Sequence, residues 1–150
     1  MHALDTMRME SGFLHWGHDI SPEENQYQSG LKFTINNQKE IDFIGEQALQ
    51  LIKSKKIDRR FVMLTLKDNK PGSPLLLCDE PIYFKDKIIG RTTPSNYSFN
   101  FKKNLAFGYI KNIYSNEENL RNDIFIEVEK QKYKAQLIQK PLKQSNFKNI

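Results

Sequence analysis

The 150-residue chain contains a single cysteine, a single tryptophan and three histidines. One cysteine leaves no intrachain disulfide and predicts a reducing compartment, the cytoplasm. Cys78, in the apolar run LLLC, is expected to be a buried small hydrophobe, since no basic partner is written beside it to make it a nucleophile. Long apolar runs are missing as well, so neither membrane insertion nor export is expected. Neither a Gly-x-Gly-x-x-Gly fingerprint nor a Gly-Lys-Ser/Thr loop occurs, which excludes nucleotide binding by those routes. The lack of a Gly-x-Ser-x-Gly elbow removes one familiar route to nucleophilic catalysis.

Aromatic residues and positive charge are plentiful. Ten Phe and six Tyr, with 38% hydrophobic and 27% charged residues, describe a globular, strand-rich domain. Lysine and arginine exceed the acids by 23 to 18, giving a net charge of +5. That excess is scattered in pairs such as Lys55-Lys56 and Lys102-Lys103. No nucleic-acid reading motif accompanies it, so a solvated basic face is expected and nucleic acid is not.

Along the chain, residues 1–40 read as a polar, irregular arm. ALDTMRME can be the end of a helix, SPEENQYQSG is a loop, and LKFTI alternates like a short strand. Residues 41–150 read as a separate, mainly β domain. It opens with one short amphipathic helix over residues 42–53, capped by Asp42, with Ile44, Ala48, Leu51 and Ile52 on one side for core packing. In RRFVMLTL, Val62, Leu64 and Leu66 face one way while Phe61, Met63 and Thr65 face the other. EPIYFKDKIIGRTT reads as a hairpin turning at Lys85-Asp86-Lys87. NLAFGYIKNIY is a strand in which Gly108 marks a bulge or a close backbone approach. A last hairpin carries Ile124, Ile126 and Val128 out, turns at Lys130-Gln131-Lys132 and returns through Tyr133, Ala135 and Leu137. Antiparallel strands at this spacing predict a small barrel or sandwich after the arm.

The densest chemistry is RMESGFLHWGHDI, beginning at Arg8. His15 and His18, with Asp19 and Glu10 nearby, suggest a metal site. Zinc needs three or four convergent ligands, however, and nothing downstream supplies another His or a second Cys, so no metal is expected. If the arm is extended, Arg8 and Glu10 share a face with Thr6, opposite Met7 and Met9. Such a face either pairs internally or hydrogen-bonds a planar heteroaromatic ligand, with Trp16 free to stack.

In order and spacing, ALDTMRMESGFLHWGHDI, SGLKF, DFIGEQALQ, RRFVMLTL, EPIYFKDKIIGRTTPSNYSFNFKKNLAFGYI and AQLIQKPL resemble the C-terminal part of the glycine cleavage T-protein (aminomethyltransferase) family. The wording is most similar to the folate-dependent tail of dimethylglycine and sarcosine dehydrogenases. Trp16 stands where aminomethyltransferases proper usually carry Tyr, and Leu4 where they carry an Arg that reaches the folate.

The resemblance implies a small antiparallel β-barrel preceded by a segment of the folate-binding body. It also implies one-carbon transfer from glycine, sarcosine or dimethylglycine to tetrahydrofolate. Trp16 and Phe33 match pocket-lining aromatics, while Arg8 and Glu10 either line the site or brace the arm. Residues 92–95, TTPS, fall in a loop that holds a domain interface. The family's catalytic carboxylate lies in a half that this sequence does not include. The expected tetrahydrofolate site is therefore weak or incomplete, with no catalytic residue here, and activity needs a companion chain supplying that half. The alternative is a free-standing structural or interaction barrel without catalysis, with self-association in place of a companion chain.

Overall fold

A computed structural model describes residues 2–35, 43–67, 70–71, 73–114, 120 and 123–143. Six strands form a closed barrel: β1 (Arg59–Leu66), β2 (Pro81–Phe84), β3 (Lys87–Ser98), β4 (Lys103–Lys111), β5 (Ile124–Val128) and β6 (Gln131–Ile138). Around the barrel the order is β1-β4-β3-β2-β5-β6, every pair is antiparallel, and β6 returns to β1 with Leu64 opposite Leu137. Closure leaves no strand edge unpaired, the stable answer for a short antiparallel sheet.

Two-residue alternation fills both faces of β1 and β4. Val62, Leu64, Leu66, Ala106 and Ile110 point into the barrel, where they meet Ile82, Ile124 and Ile126. Phe61, Met63, Leu105 and Phe107 point out and form a second cluster with Met9 and Leu14 of the arm. Burying Met9 there contributes about 2 kcal/mol by area. The arm is thus packed against the barrel wall.

Both tight hairpins turn through two left-handed residues, Lys85-Asp86 (φ 47° and 63°) and Glu129-Lys130 (φ 49° and 64°). Positive φ at both central positions gives the turn a hand that matches strand twist. The second turn therefore falls one residue earlier than the sequence reading placed it. Gly108 sits where a Cβ would lie 2.5 Å from the Arg91 carbonyl oxygen, across a β3–β4 ladder whose register shifts between Thr92 and Ser95. Close approach of backbone is its role, and the bulge belongs to β3.

Other expectations need correction. A helix, α1 (His2–Glu10), opens the arm, so Arg8 and Glu10 do not share an extended face; two residues of helix turn about 200°. The predicted strand LKFTI is a single 3-10 turn, Lys32–Thr34. The second helix, α2 (Glu46–Ser54), overlaps the expected segment, starting four residues later and ending one residue beyond it, but buries no side chain; Leu51 is exposed on it, and Ile44 is exposed ahead of it. The barrel core is filled by strand residues together with Leu76 and Leu120 from the connections, and α2 adds no residue to it. Asp42 lies outside the described residues, and the cap position is Gly45. Cys78 is exposed; in its stretch only Leu76 is buried while Leu75 and Leu77 face out, so the run is not a continuous core segment.

Candidate functional site

Helix α1 ends where its last turn meets the barrel, and two buried carboxylates fix it there. Asp19, 2% exposed, is the centre of the first clamp. Its Oδ2 accepts from Arg8 Nη1, and from the His15 N–H at 2.8 Å. Oδ1 accepts the Thr93 hydroxyl of β3 at 2.9 Å, and the Asp19 carbonyl accepts the Tyr109 hydroxyl of β4 at 2.9 Å. Arg8 also donates to Asp5 Oδ1 at 3.0 Å and to the Phe13 carbonyl at 3.1 Å, with its guanidinium 5.9 Å from the Phe107 ring centre. Its Nη2 is buried without a hydrogen-bond partner. These bonds draw residues 13–20 into a compact turn, closed by Asp19 N–H to His15 O at 2.8 Å and Gly17 N–H to Ile20 O at 2.7 Å.

Glu10 makes the second clamp. Only 1% exposed, its carboxylate accepts the Ser98 hydroxyl at 2.5 Å and the Asn100 amide at 3.0 Å. Its carbonyl accepts the Lys143 N–H at 2.8 Å. A buried carboxylate with those donors is satisfied where it stands, and it ties α1 to the β3–β4 connection. Arg8 and Glu10 both sit within the arm–barrel junction.

The aromatic candidates are turned the other way. Trp16 is 67% exposed at the tip of the Asp19-held turn, and Phe33 is 82% exposed on its 3-10 turn. Leu4, Met7 and Phe13 are exposed on the same arm. Among the described residues no ring contact joins Trp16 to Phe33. His15 and His18 stack with ring centres 4.5 Å apart, and no three potential metal ligands converge among the described residues.

A cleft of about 610 Å³ opens between residues 17–24 and strands β3 and β4. Its guanidiniums are already engaged, Arg59 with Glu24 at 2.9 Å and Arg91 with Asp79 at 3.4 Å. Arg59 also lies 5.6 Å from the Tyr109 ring centre. Burial, reinforced by the charges of Glu24 and Asp19, pushes the Tyr109 phenol well above its ordinary range. It is a neutral hydrogen-bond donor at any physiological pH.

Sequence reasoning located Arg8, Glu10, Trp16 and Phe33 but missed Thr93, Tyr109, Ser98 and Asn100 as partners. The opposite charges of Arg8 and Asp19 within one short segment were the available signal. Nothing local announces the distant hydroxyls. The TTPS stretch, expected as a loop, lies inside β3, where Thr93 bonds to the arm and Thr92 to Glu80.

The family model for the glycine cleavage T-protein C-terminal barrel domain matches residues 59–143. The chain is 36% identical over 143 residues to dimethylglycine dehydrogenase, mitochondrial, of Rattus norvegicus, covering 94% of the chain and 16% of that protein. It is 31% identical over 146 residues to the aminomethyltransferase of Alkaliphilus metalliredigens (strain QYMF), covering 97% of the chain and 38% of that protein. Among solved structures it resembles the glycine cleavage system aminomethyltransferase T of Bartonella henselae. That likeness has a TM-score of 0.78 at 20% identity, over 93% of the chain and 38% of that structure. The chain therefore spans well under half the length of each.

Proposed function

The chain belongs to the glycine cleavage T-protein C-terminal barrel domain family, and from that membership we propose that it is the barrel and one pocket wall of a tetrahydrofolate-dependent aminomethyltransferase-like protein. The reaction class is transfer of a one-carbon unit from glycine, sarcosine or dimethylglycine to tetrahydrofolate. A companion chain supplies the half that carries the chemistry. The observation that supports this reading is the arm: two buried carboxylates hold it on the barrel while Leu4, Met7, Phe13, Trp16 and Phe33 remain uncovered. Exposed apolar side chains carried on a firmly held arm are what an interface or a ligand wall requires.

The residues present fit folate in part. Trp16 and Phe33 offer free aromatic faces on which a pterin or benzoyl ring can stack. Glu10 faces Ser98 and Asn100 inside the junction, and Arg8 faces Asp19, so both serve the site as braces. Folate, when bound, supplies the nitrogens that accept the one-carbon unit. This chain's own contribution is to hold an aromatic wall and keep water from one side of it.

Calorimetric titration of the isolated chain with tetrahydrofolate tests the reading. Weak, unsaturated binding is expected from a single wall. Tight, stoichiometric binding by the chain alone would overturn the need for a companion.

A further inference from the structure

The loop that carries Trp16 has two independent sets of restraints, and they meet on one residue. Within the arm, Asp19 Oδ2 accepts from Arg8 and from the His15 N–H. From the barrel, the Thr93 hydroxyl reaches Oδ1 and the Tyr109 hydroxyl reaches the Asp19 carbonyl, each at 2.9 Å. Thr93 stands in the register shift of β3, and Tyr109 pairs with Arg91 across the β3–β4 ladder. The arm bonds set the internal shape of the turn, and the barrel bonds set where the turn stands. Trp16 itself, 67% exposed, has no ring partner among the described residues to set its place.

We infer that Thr93 and Tyr109 are positioning residues, which act through Asp19 to hold the Trp16 loop in place on the barrel before any ligand or partner arrives. The inference rests on the reading of Trp16 as a pocket wall for its purpose, and on the bonds alone for its geometry. A bulged strand can offer this where a regular one cannot, because the register shift re-aims the side chains next to it. Preorganisation of this kind strengthens binding by removing an ordering cost that a free loop would incur on docking.

Trp16 is the only tryptophan of the chain, so its emission reports the loop directly. The variants are the double substitution Thr93→Val with Tyr109→Phe, which removes both barrel hydroxyls and leaves every arm bond, and Thr93→Ser, which keeps its hydroxyl. In the double variant, without ligand, Trp16 anisotropy should fall and the His15 amide should exchange about tenfold faster. The amides of β1 and β4 should keep their protection, and Thr93→Ser should match the native chain. Native anisotropy and His15 exchange in the double variant would overturn the inference. So would a loss of protection throughout β1 and β4, which would make these hydroxyls part of the fold rather than of the loop's placement. Impairment of Thr93→Ser by itself would also count against it. No folate enters these measurements, so the inference and the folate reading fail separately: the first by native-like Trp16 dynamics, the second in the titration described above.

Discussion

Asp19 receives four hydrogen bonds, three on its carboxylate and one on its carbonyl, and a buried guanidinium depends on it. Removing one member of a buried ion pair strands the other, which costs about 3–5 kcal/mol. Asp19→Ala is therefore expected to lose stability on that scale, measured by urea denaturation, and Asp19→Asn less, since the amide oxygen still accepts. Gly108 is a second sensitive position. An added Cβ would stand 2.5 Å from the Arg91 carbonyl and 3.1 Å from Ile82 Cδ1. Gly108→Ala should cost about 1–3 kcal/mol through overpacking, read as a lowered Tm.

Tyr109 gives a pH dependence of definite sign. Its native pKa is raised above the ordinary 10.0, mainly by burial. The neutral phenol is the form the fold favours, so its contribution is whole below about pH 10 and is lost as the pH rises above it, where the unfolded chain ionises first. Stability should fall more steeply above pH 10 in the native chain than in Tyr109→Phe. Burial also raises the Tyr83 phenol, so ultraviolet titration should show a late-ionising component, part of which Tyr109→Phe removes.

At the scale of elements, the turns carry a correctable strain. Glu129 and Lys130 adopt φ of 49° and 64°, a region that Asn and Gly occupy at lower cost. Glu129→Asn with Lys130→Gly should stabilise the chain by roughly 0.5–1 kcal/mol, visible as a higher Tm. The other hairpin is a poorer place for the experiment. There the Lys132 ammonium donates to Asp86 Oδ1 at 2.7 Å, which lowers the Asp86 pKa and raises that of Lys132.

The same elements show what the sequence could and could not announce. The alternation in RRFVMLTL specified both faces of β1, because a period of two leaves no other solution. The polar run from Glu129 to Lys132 located a turn but not its centre, since no Asn or Gly marked the residues that take positive φ. LKFTI was too short for its alternation to distinguish a strand from a 3-10 turn. Helix α2 was legible as a helix, but an amphipathic pattern says that one face suits cover without saying what covers it. For the site, the cluster from Arg8 to Asp19 was visible. Its partners lie 74 to 90 residues away, at Thr93, Ser98, Asn100 and Tyr109, and only the folded barrel selects them.

For the whole molecule, two kinds of surface follow. The barrel interior is closed and filled, while the arm displays Leu4 and Met7 one helical turn apart on the outward side of α1. Leu4→Lys with Met7→Lys should leave the unfolding free energy within about 0.5 kcal/mol of the native value, as exposed substitutions do, read by urea denaturation. If this face is the companion's seat, the same pair should abolish co-sedimentation with an aminomethyltransferase folate-binding half. Association unchanged by two buried lysines would place the seat elsewhere on the chain.

Strand β1 pairs on one side with β4 and on the other with β6, the last strand of the barrel. During synthesis it emerges first and waits longest. Until residues 135–138 have left the ribosome, one side of β1 offers an open row of amides and carbonyls beside an apolar face. Late closure by distant pairing makes assembly slow, and the waiting strand is the segment most in need of a chaperone. A chain stopped short of β6 would keep that edge permanently, and it should accumulate as an aggregate rather than as a smaller folded domain.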